Sequence, residues 1–425
     1  MADYRNVWVL VLAVGLLQIS GGILGVITPV GLEALDTPSY LIGIIAALYA
    51  AGFMAGAAAA PRVMGRIGNI RVFSAGAAGA AATSLLMGLW PDMLGWALLR
   101  PIQGLAIAWM FASAEAWMSS ATPAPSRGGV LGFYHVIAKA ALLVGPFLVI
   151  GYAALQPEAF IWTALFFALA LVPVCMTRMV EPPRHEDVSM PWREFFALAP
   201  AAVAGSFLAG VINSGSLALL PVFAERMELR ETATGAAAIA MAVAWIGGML
   251  SQWPAGRLSD RIDRRLVVAG MALIALVASL ALTFGAGHVP AWALLTLLGL
   301  WGAGSLSFYG IAVAHGVDRA EQDQIPGLMA GLLFVWAVGS VIGPPLAGVA
   351  IATPLGPGGL FAFSAIGTLI LVGAMLWRRT ARPKVDAEDR ANWELTQPTA
   401  VTGMDIDPRV EPFEPLEGDM QDGNS

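Results

Sequence analysis

Three ionisable residues interrupt long apolar stretches in the first half of the chain. Glu115 stands in FASAEAWMSS, and His135 and Lys139 follow in the next apolar stretch. Because His135 and Lys139 are four residues apart, they share one face of a helix. Burial favours the protonated form of a carboxylate, and a nearby cation favours the ionised form, so this group could load and release a proton. The alternative is a static pair between two helices that only aids packing.

A fourth charge, Arg100, stands in the string Arg-Pro-Ile-Gln-Gly and is followed by Gln103. It lies about six residues into a helix, so roughly 9 Å deep at 1.5 Å per residue. An arginine at that depth usually faces a cavity or a partner. The alternative is a side chain that extends to the interface. We expect a functional arginine, and we expect other polar residues within apolar stretches to contact a substrate: Gln18, Gln103, Asn213 and Tyr309.

The elements that carry these residues are apolar runs of roughly twenty residues, each long enough to span a bilayer as a helix. The chain is 58% hydrophobic and 12% charged, whereas soluble domains are about 25% charged. Its 48 glycines predict close helix crossings. We therefore predict an all-α membrane protein with twelve transmembrane helices, at 7–31, 39–61, 72–90, 94–119, 129–151, 159–178, 196–221, 234–255, 266–286, 291–314, 327–351 and 359–377.

Basic residues predict the orientation of these spans. With the N-terminus inside, nearly all loop arginines fall on the cytoplasmic side, and only Arg226 and Arg230 fall outside. This asymmetry fits the positive-inside rule. We expect both termini in the cytoplasm and the chain in the inner membrane of a bacterium. Glu33, at an outer helix end, is expected to be solvated and without a partner.

The polar stretch after the sixth span divides the chain into two similar halves. Both halves carry a basic, glycine-bearing loop after their second span, and Gly-Pro occurs in spans five and eleven. Such a duplication is typical of transporters that rock two halves around a central site. We predict a six-helix bundle at 1–178, a cytoplasmic loop at 179–195, a second bundle at 196–378 and an acidic, disordered tail at 379–425.

The loop after span eight reads GRLSDRIDRR, from Gly256 to Arg265. Its pattern G-x-L-S-D-R-x-D-R-R resembles the loop signature of the major facilitator superfamily, and the resemblance covers about residues 7–378. It implies two six-helix bundles and a charge network that latches one transport conformation. Here that latch would use Gly256, Asp260, Arg261, Arg264 and Arg265. The first-half loop keeps Arg66, Gly68 and Arg71 but has Gly65 in place of the signature's aspartate.

The same resemblance extends to span four, where Arg100, Gln103 and Gly104 match the superfamily's R-x-x-Q-G element. In many proton-coupled members that arginine is linked to proton transfer. Span five matches the exporter signature of the superfamily only in part, so it supports helix bending and not export.

Together these features predict a secondary active transporter that moves a small solute by alternating access, coupled to protons. The sequence carries no metal-ligand spacing and no phosphate-binding loop, so we expect no enzyme, no cofactor, no metal site and no nucleic-acid partner. The expected partners are the solute, protons and the lipid bilayer, and the expected state is a monomer. The apolar spans lean to export of a neutral or apolar molecule. Proton-coupled uptake of a small metabolite and a sensor that transports nothing remain as alternatives.

Overall fold

A computed structural model describes residues 2–122, 127–176 and 190–381, together with Pro383 and Trp393. Twelve helical segments in it are long and apolar enough to cross a membrane, which confirms the predicted number of spans. Most of the predicted loop at 179–195, and the predicted tail apart from Thr380, Ala381, Pro383, Trp393 and Arg379, lie outside the described residues. The helices are α1 (Ala2–Ala34), α2 (Ser39–Ile67), α3 (Asn69–Leu89), α4 (Met93–Ala121), α5 (Arg127–Val144), α6 (Pro157–Met176), α7 (Trp192–Leu198), α8 (Pro200–Arg226), α9 (Ala233–Arg261), α10 (Arg264–Gly285), α11 (Ala291–Ser305), α12 (Phe308–Val317), α13 (Ile325–Ile351) and α14 (Gly359–Ala381).

The outer surface of the helices is apolar, as lipid requires. Leu89, Leu98, Leu250 and Phe284 are among many large apolar side chains that lie exposed. Polar side chains such as Ser84, Gln103 and Ser305 are buried inside instead. In water this distribution would be unfavourable. In a bilayer it places the apolar side chains against lipid and keeps the polar side chains away from it.

Helix contacts follow the two halves of the chain. In the first half α1 packs on α5 and α6, and α4 packs on α2 and α3. In the second half α8 packs on α13 and α14, while α11 packs on α9 and α10. The halves meet where α2 contacts α13 and where α1 contacts α8 and α9.

Glycines permit the closest of these crossings. A Cβ on Gly52 would clash with the Pro101 carbonyl, and one on Gly43 would clash with the Pro344 carbonyl across the two halves. Close approach of backbones through small residues is how membrane helices gain packing energy. Gly68 has a different role: its φ of 85°, a conformation that favours glycine, turns the chain between α2 and α3.

Two spans are irregular. After Val144 the fifth span continues as a 3₁₀ turn over Gly145–Val149, where Pro146 has no N–H to donate. The tenth span is interrupted between Ser305 and Phe308, so that α11 and α12 together make one crossing. The sequence predicted a bend at the first position but no break at the second.

The two ends of the molecule differ in charge. We call the end that holds Arg62, Arg66, Arg257 and Arg378 the arginine-rich face, and the end that holds Glu33 the opposite face. The short helix α7, which the sequence analysis did not predict, precedes α8 and buries Phe195.

Candidate functional site

A cavity of about 430 Å³ lies between the two halves. Helices α1, α2, α4 and α5 line it from the first half, and α8, α9, α12 and α13 line it from the second. Its walls are mainly apolar and aromatic, and none of the described residues that line it is acidic. The aromatic side chains in the wall include Tyr49, Phe53, Phe111, Trp245, Tyr309 and Trp336.

Five of the residues predicted for substrate contact or coupling line this cavity: Gln18, Arg100, Lys139, Asn213 and Tyr309. Gln103, also predicted for substrate contact, lies fully buried behind the wall. Glu115 and His135 are not among the lining residues. The predicted residues therefore divide into a group at the cavity and a group in the helix interface beside it.

Arg100 stands in a buried polar cluster on α4. Its guanidinium lies over the Tyr49 ring, 4.2 Å from the centroid, and its Nη1 donates to Gln103 Oε1 at 2.7 Å. Gln103 in turn donates to Ser84 Oγ at 3.0 Å. The side chain of Arg100 is 9% exposed, and its buried Nε has no hydrogen-bond partner in the described part of the chain. The cluster fixes the guanidinium at the cavity wall and leaves its buried Nε–H donor unused.

Lys139 makes a direct connection between the halves. Its Nζ on α5 donates to Gln252 Oε1 on α9 at 2.6 Å. Gln252 Nε2 then donates to the Leu306 carbonyl at 2.9 Å, at the break between α11 and α12. Because a broken helix leaves carbonyls without their usual partner, Gln252 satisfies one of them. Sequence reasoning did not single out Gln252, although a glutamine within an apolar span is an available signal.

Glu115 is buried between α4 and α5. Its Oε1 accepts a hydrogen bond from Tyr134 Oη at 3.3 Å, and the side chain is 4% exposed. Tyr134 immediately precedes His135, and the two rings lie 5.0 Å apart. The structure thus brings Glu115 to the helix that also carries Lys139.

The predicted latch residues form a charged network at the arginine-rich face. Arg264 is fully buried and pairs with Asp318 through two bonds, from Nε at 2.6 Å and from Nη2 at 3.1 Å. Its Nη1 also donates to Asp260 at 3.1 Å. Asp318 was not predicted, and its place directly before Arg319 at the end of a span is the signal that could have indicated it.

The other residues predicted for the latch have separate contacts. Arg265 pairs with Asp263 at 2.8 Å and donates to the Arg378 carbonyl, whereas Arg261 is exposed. Burial alone would raise the pKa of Asp263, but the hydrogen bonds and the charge of Arg265 outweigh it and hold that pKa below its usual value. Asp263 also caps α10 by accepting from the Arg265 N–H.

Gly256 and Asp260 contact a residue from the predicted tail. The Trp393 ring covers Gly256 so closely that a Cβ there would clash with it. The Trp393 N–H donates to Asp260 Oδ1 at 2.9 Å, and Trp393 also lines the cavity. Trp393 is therefore held against the last turns of α9.

The opposite face is closed by contacts between the halves. Arg226 at the end of α8 donates to both carboxylate oxygens of Glu33 at 2.8 and 3.2 Å, and to Ser39 Oγ at 3.0 Å. Thr234 on α9 donates to the Tyr152 carbonyl in the first half. The expectation that Glu33 has no partner is therefore wrong, because Arg226 from the other half reaches it.

Comparisons with known proteins agree with this geometry. A family model described as Major Facilitator Superfamily matches residues 10–314 and 231–403. The chain is 25% identical over 351 residues to the uncharacterized MFS-type transporter YcaD of Escherichia coli O17:K52:H18, covering 81% of this chain and 88% of that protein.

Solved structures show the same fold. The nucleoside transporter NupG matches with a TM-score of 0.72 and 13% identity, over 88% of this chain and 98% of its own. An inward-facing bacterial homologue of the human lysosomal transporter Spinster matches with a TM-score of 0.69 and 16% identity, over 91% and 98%. This protein is an integral membrane protein and a secondary transporter, not an enzyme, and the chain belongs to the Major Facilitator Superfamily.

Proposed function

We propose that this transporter exports a small, largely apolar solute by alternating access and couples that movement to protons. The observation that carries alternating access is the asymmetry of the cavity. The opposite face is held shut by Arg226 with Glu33 and by Thr234 with the Tyr152 carbonyl. At the other end the cavity wall reaches Trp393, beside the arginine-rich face.

This asymmetry supports loading from the arginine-rich face. The basic residues on that face predict that it is cytoplasmic. An exporter would load its solute from the cytoplasm in this state, an importer would release it there, and in both cases the contacts at the opposite face would have to break for passage outside. The mainly apolar wall of the cavity is what favours export of an apolar solute. The solute site lies between the halves, where rocking of one half against the other changes its access.

Proton coupling is supported by a chain of contacts through α5. Glu115 accepts a hydrogen bond from Tyr134 on α5, and Lys139 on the same helix reaches Gln252 in the second half. Protonation of Glu115 would weaken its attraction for hydrogen-bond donors on α5. A small movement of α5 would then change the geometry of the Lys139–Gln252 hydrogen bond. Glu115 would therefore act without contacting the solute.

Alternating access can be tested before the solute is known. A cysteine at Ser214, which lines the cavity, is placed in a Cys175→Ser background and treated with a membrane-impermeant maleimide in vesicles of each orientation. We expect labelling from the arginine-rich face in the parent and additional labelling from the opposite face after Glu33→Gln. Equal labelling from both faces in the parent, unchanged by Glu33→Gln, would refute alternating access.

The coupling step is tested with the same cysteine. The ratio of its labelling from the two faces, which cancels the ionisation of the thiol itself, should change between pH 6 and pH 8, and Glu115→Gln should remove that change. Glu158→Gln is the matched control, because Glu158 is an exposed carboxylate at the start of α6. If Glu115→Gln labels with the parent's pH dependence, Glu115 is a packing residue.

Direction is tested by mass spectrometry of the medium from cells that express the chain. Export predicts that at least one metabolite becomes enriched outside relative to cells with an empty vector. Depletion of a metabolite from the medium would instead favour uptake.

A further inference from the structure

We propose that the transported solute carries a carboxylate or a similar acidic group, recognised by Lys139 with Arg100 as the second cation of the cavity. This inference rests on the proposed function, since it concerns the solute of the same cavity. It names a chemical class that the apolar character of the spans alone does not indicate.

Among its described lining residues the cavity holds two basic side chains and no acidic one. Arg100 and Lys139 both line it, and both are at least nine-tenths buried. Among the described residues no aspartate or glutamate lies within 4 Å of either cation; the salt bridges found there join Arg226, Arg264 and Arg265 to their partners. A buried charge without a counter-charge is costly, and binding an anion would offset that cost.

Both cations have donors to offer. Lys139 has three N–H donors, and one of them makes a hydrogen bond to the neutral Gln252 side chain. The Nη1 of Arg100 donates to Gln103, and the guanidinium packs on the Tyr49 ring. Its Nε has no partner in the described part of the chain. A carboxylate accepts at two oxygens and would suit these remaining donors.

The rest of the wall defines the body of the solute. Trp245, Tyr309 and Trp336 line the cavity, and the rings of Tyr309 and Trp336 lie 6.1 Å apart in an edge-to-face arrangement. Such a wall favours an aromatic or branched apolar body. The predicted class is therefore a small aromatic or apolar carboxylic acid.

An acidic solute also links binding to movement. Lys139 holds the halves together through Gln252, and a carboxylate that takes the Lys139 ammonium would compete with that bond. Binding would then favour states in which α5 and α9 separate.

The test uses matched probes on the purified, full-length protein. Indole-3-acetate is compared with indole-3-acetamide and tryptamine, and 3-phenylpropanoate with its amide, by isothermal calorimetry at pH 7.5. We expect each carboxylate to bind at least about tenfold more tightly than its amide, which corresponds to about 1.4 kcal/mol, and tryptamine to bind more weakly still. Lys139→Gln should abolish the preference and Lys139→Arg should retain part of it.

Arg230→Gln is the control variant, because Arg230 is exposed at the opposite face and away from the cavity. Equal binding of acid and amide in both pairs, or no binding by any of these probes, overturns the inference. Since the labelling of the Ser214 cysteine needs no solute, side-dependent labelling without carboxylate preference would refute the acidic solute and leave alternating access standing.

A separate observation supports a second inference: we infer that Trp393 narrows the arginine-rich mouth of the cavity and slows access through it. It packs on Gly256, bonds to Asp260 and contributes to the cavity wall. Its buried indole Nε1 finds no partner among the described residues. The indole is therefore held by packing on Gly256 and by the hydrogen bond from the Trp393 backbone N–H to Asp260.

The contact ties the indole to the last turn of α9. Asp260 Oδ1 accepts from both the Trp393 N–H and Arg264 Nη1. Because Trp393 belongs to the same chain as Gly256 and Asp260, its effective concentration beside them is high and a weak contact can keep the indole in place. A movement that displaces Asp260 would release the indole and widen the mouth.

Trp393→Ala in the Cys175→Ser, Ser214→Cys background tests this inference. We expect labelling from the arginine-rich face to accelerate roughly tenfold, as removal of a contact worth about 1.4 kcal/mol would give. Trp377→Ala is the control, because Trp377 is 63% exposed and lies outside the cavity wall. Asp260→Asn should accelerate labelling less than Trp393→Ala and add nothing to it in the double variant. Equal rates in parent and Trp393→Ala proteins, at unchanged melting temperature, would overturn the inference.

Discussion

The buried guanidinium of Arg264, at the start of α10, is the centre of the charged contacts where α9 meets α10. It meets Asp318 through two bonds, Asp260 through one and Ser259 through one. Removal of one partner from a buried ion pair leaves the other charge unpaired, and this cost exceeds the net value of the pair. The loop signature thus has a structural role here that does not depend on its role in transport.

Asp318→Asn should therefore destabilise the protein strongly. We expect a loss of about 3 kcal/mol, at the lower end for a broken buried pair because Asp260 stays near Arg264. The melting temperature of the purified protein in detergent measures it. Asp323→Asn, at an exposed carboxylate, is the control. Equal melting temperatures for the two variants would mean that Asp318 does not stabilise Arg264.

Asp263 gives a prediction about pH. Since its folded pKa lies below the usual value, its ionised form stabilises the folded state. That contribution is complete above the unfolded pKa of about 3.9 and is lost as the pH falls through the lower folded value. The difference in melting temperature between the parent and Asp263→Asn should stay constant from pH 8 to pH 5 and decrease towards pH 3. A difference that already shrinks between pH 7 and pH 5 would point to another titrating group.

At the scale of elements, hydropathy was sufficient for the twelve spans because each run has to cross the same bilayer. It was insufficient for the break at Leu306 and Ser307. No proline marks this position, and the contacts that accommodate it come from α9, where Ser251 bonds to the Ala303 carbonyl and Gln252 to the Leu306 carbonyl. Periodicity within one span carries no information about such partners.

The same reason limits what could be predicted of the site. Gln18, Asn213 and Tyr309 could be selected because polar groups within apolar spans usually face a cavity. The pair Lys139 and Gln252 is separated by 113 positions, and no local pattern joins its members. The helix α7 was missed because seven residues are too few to show helical periodicity above a loop.

Gly43 tests the crossing of α2 and α13 between the halves. A Cβ there would clash with the Pro344 carbonyl, so Gly43→Ala should push these helices apart and weaken closure of the opposite face. We expect faster labelling of the Ser214 cysteine from that face. Gly373→Ala is the control, because a Cβ at Gly373 on α14 meets no atom within 4 Å. If both variants label alike, this crossing does not control access.

At the scale of the whole molecule, the arginines collect at one end and the contacts that close the cavity lie at the other end. Both features therefore distinguish the same two faces. The arginine-rich face holds the ends of α2, α9 and α14, and the opposite face holds the ends of α1 and α8. An even number of crossings returns the chain to the side on which it started. The arginines predict that this side is cytoplasmic.

Reporter tags test the orientation. Tags inserted between Arg62 and Arg71, within 179–193 and after Arg378 should all report the cytoplasm. A tag near Glu228 should report the outside, since only Arg226 and Arg230 flank that connection. An external signal from the tag within 179–193 would contradict both the orientation and the division into two six-helix halves.

The closure itself is tested by exchanging its charges. Glu33→Arg alone places two cations together at the ends of α1 and α8, and like charges at contact distance repel. We expect this variant to open the opposite face, with labelling of the Ser214 cysteine increasing from that side. Arg226→Glu added to it restores an ion pair of reversed sense and should return labelling towards the parent rate. Because both side chains are partly exposed, the effect should be modest, about 1 kcal/mol, and should weaken in high salt. If the double variant labels as fast as Glu33→Arg alone, the contact between α1 and α8 depends on Ser39 and packing and not on this pair of charges.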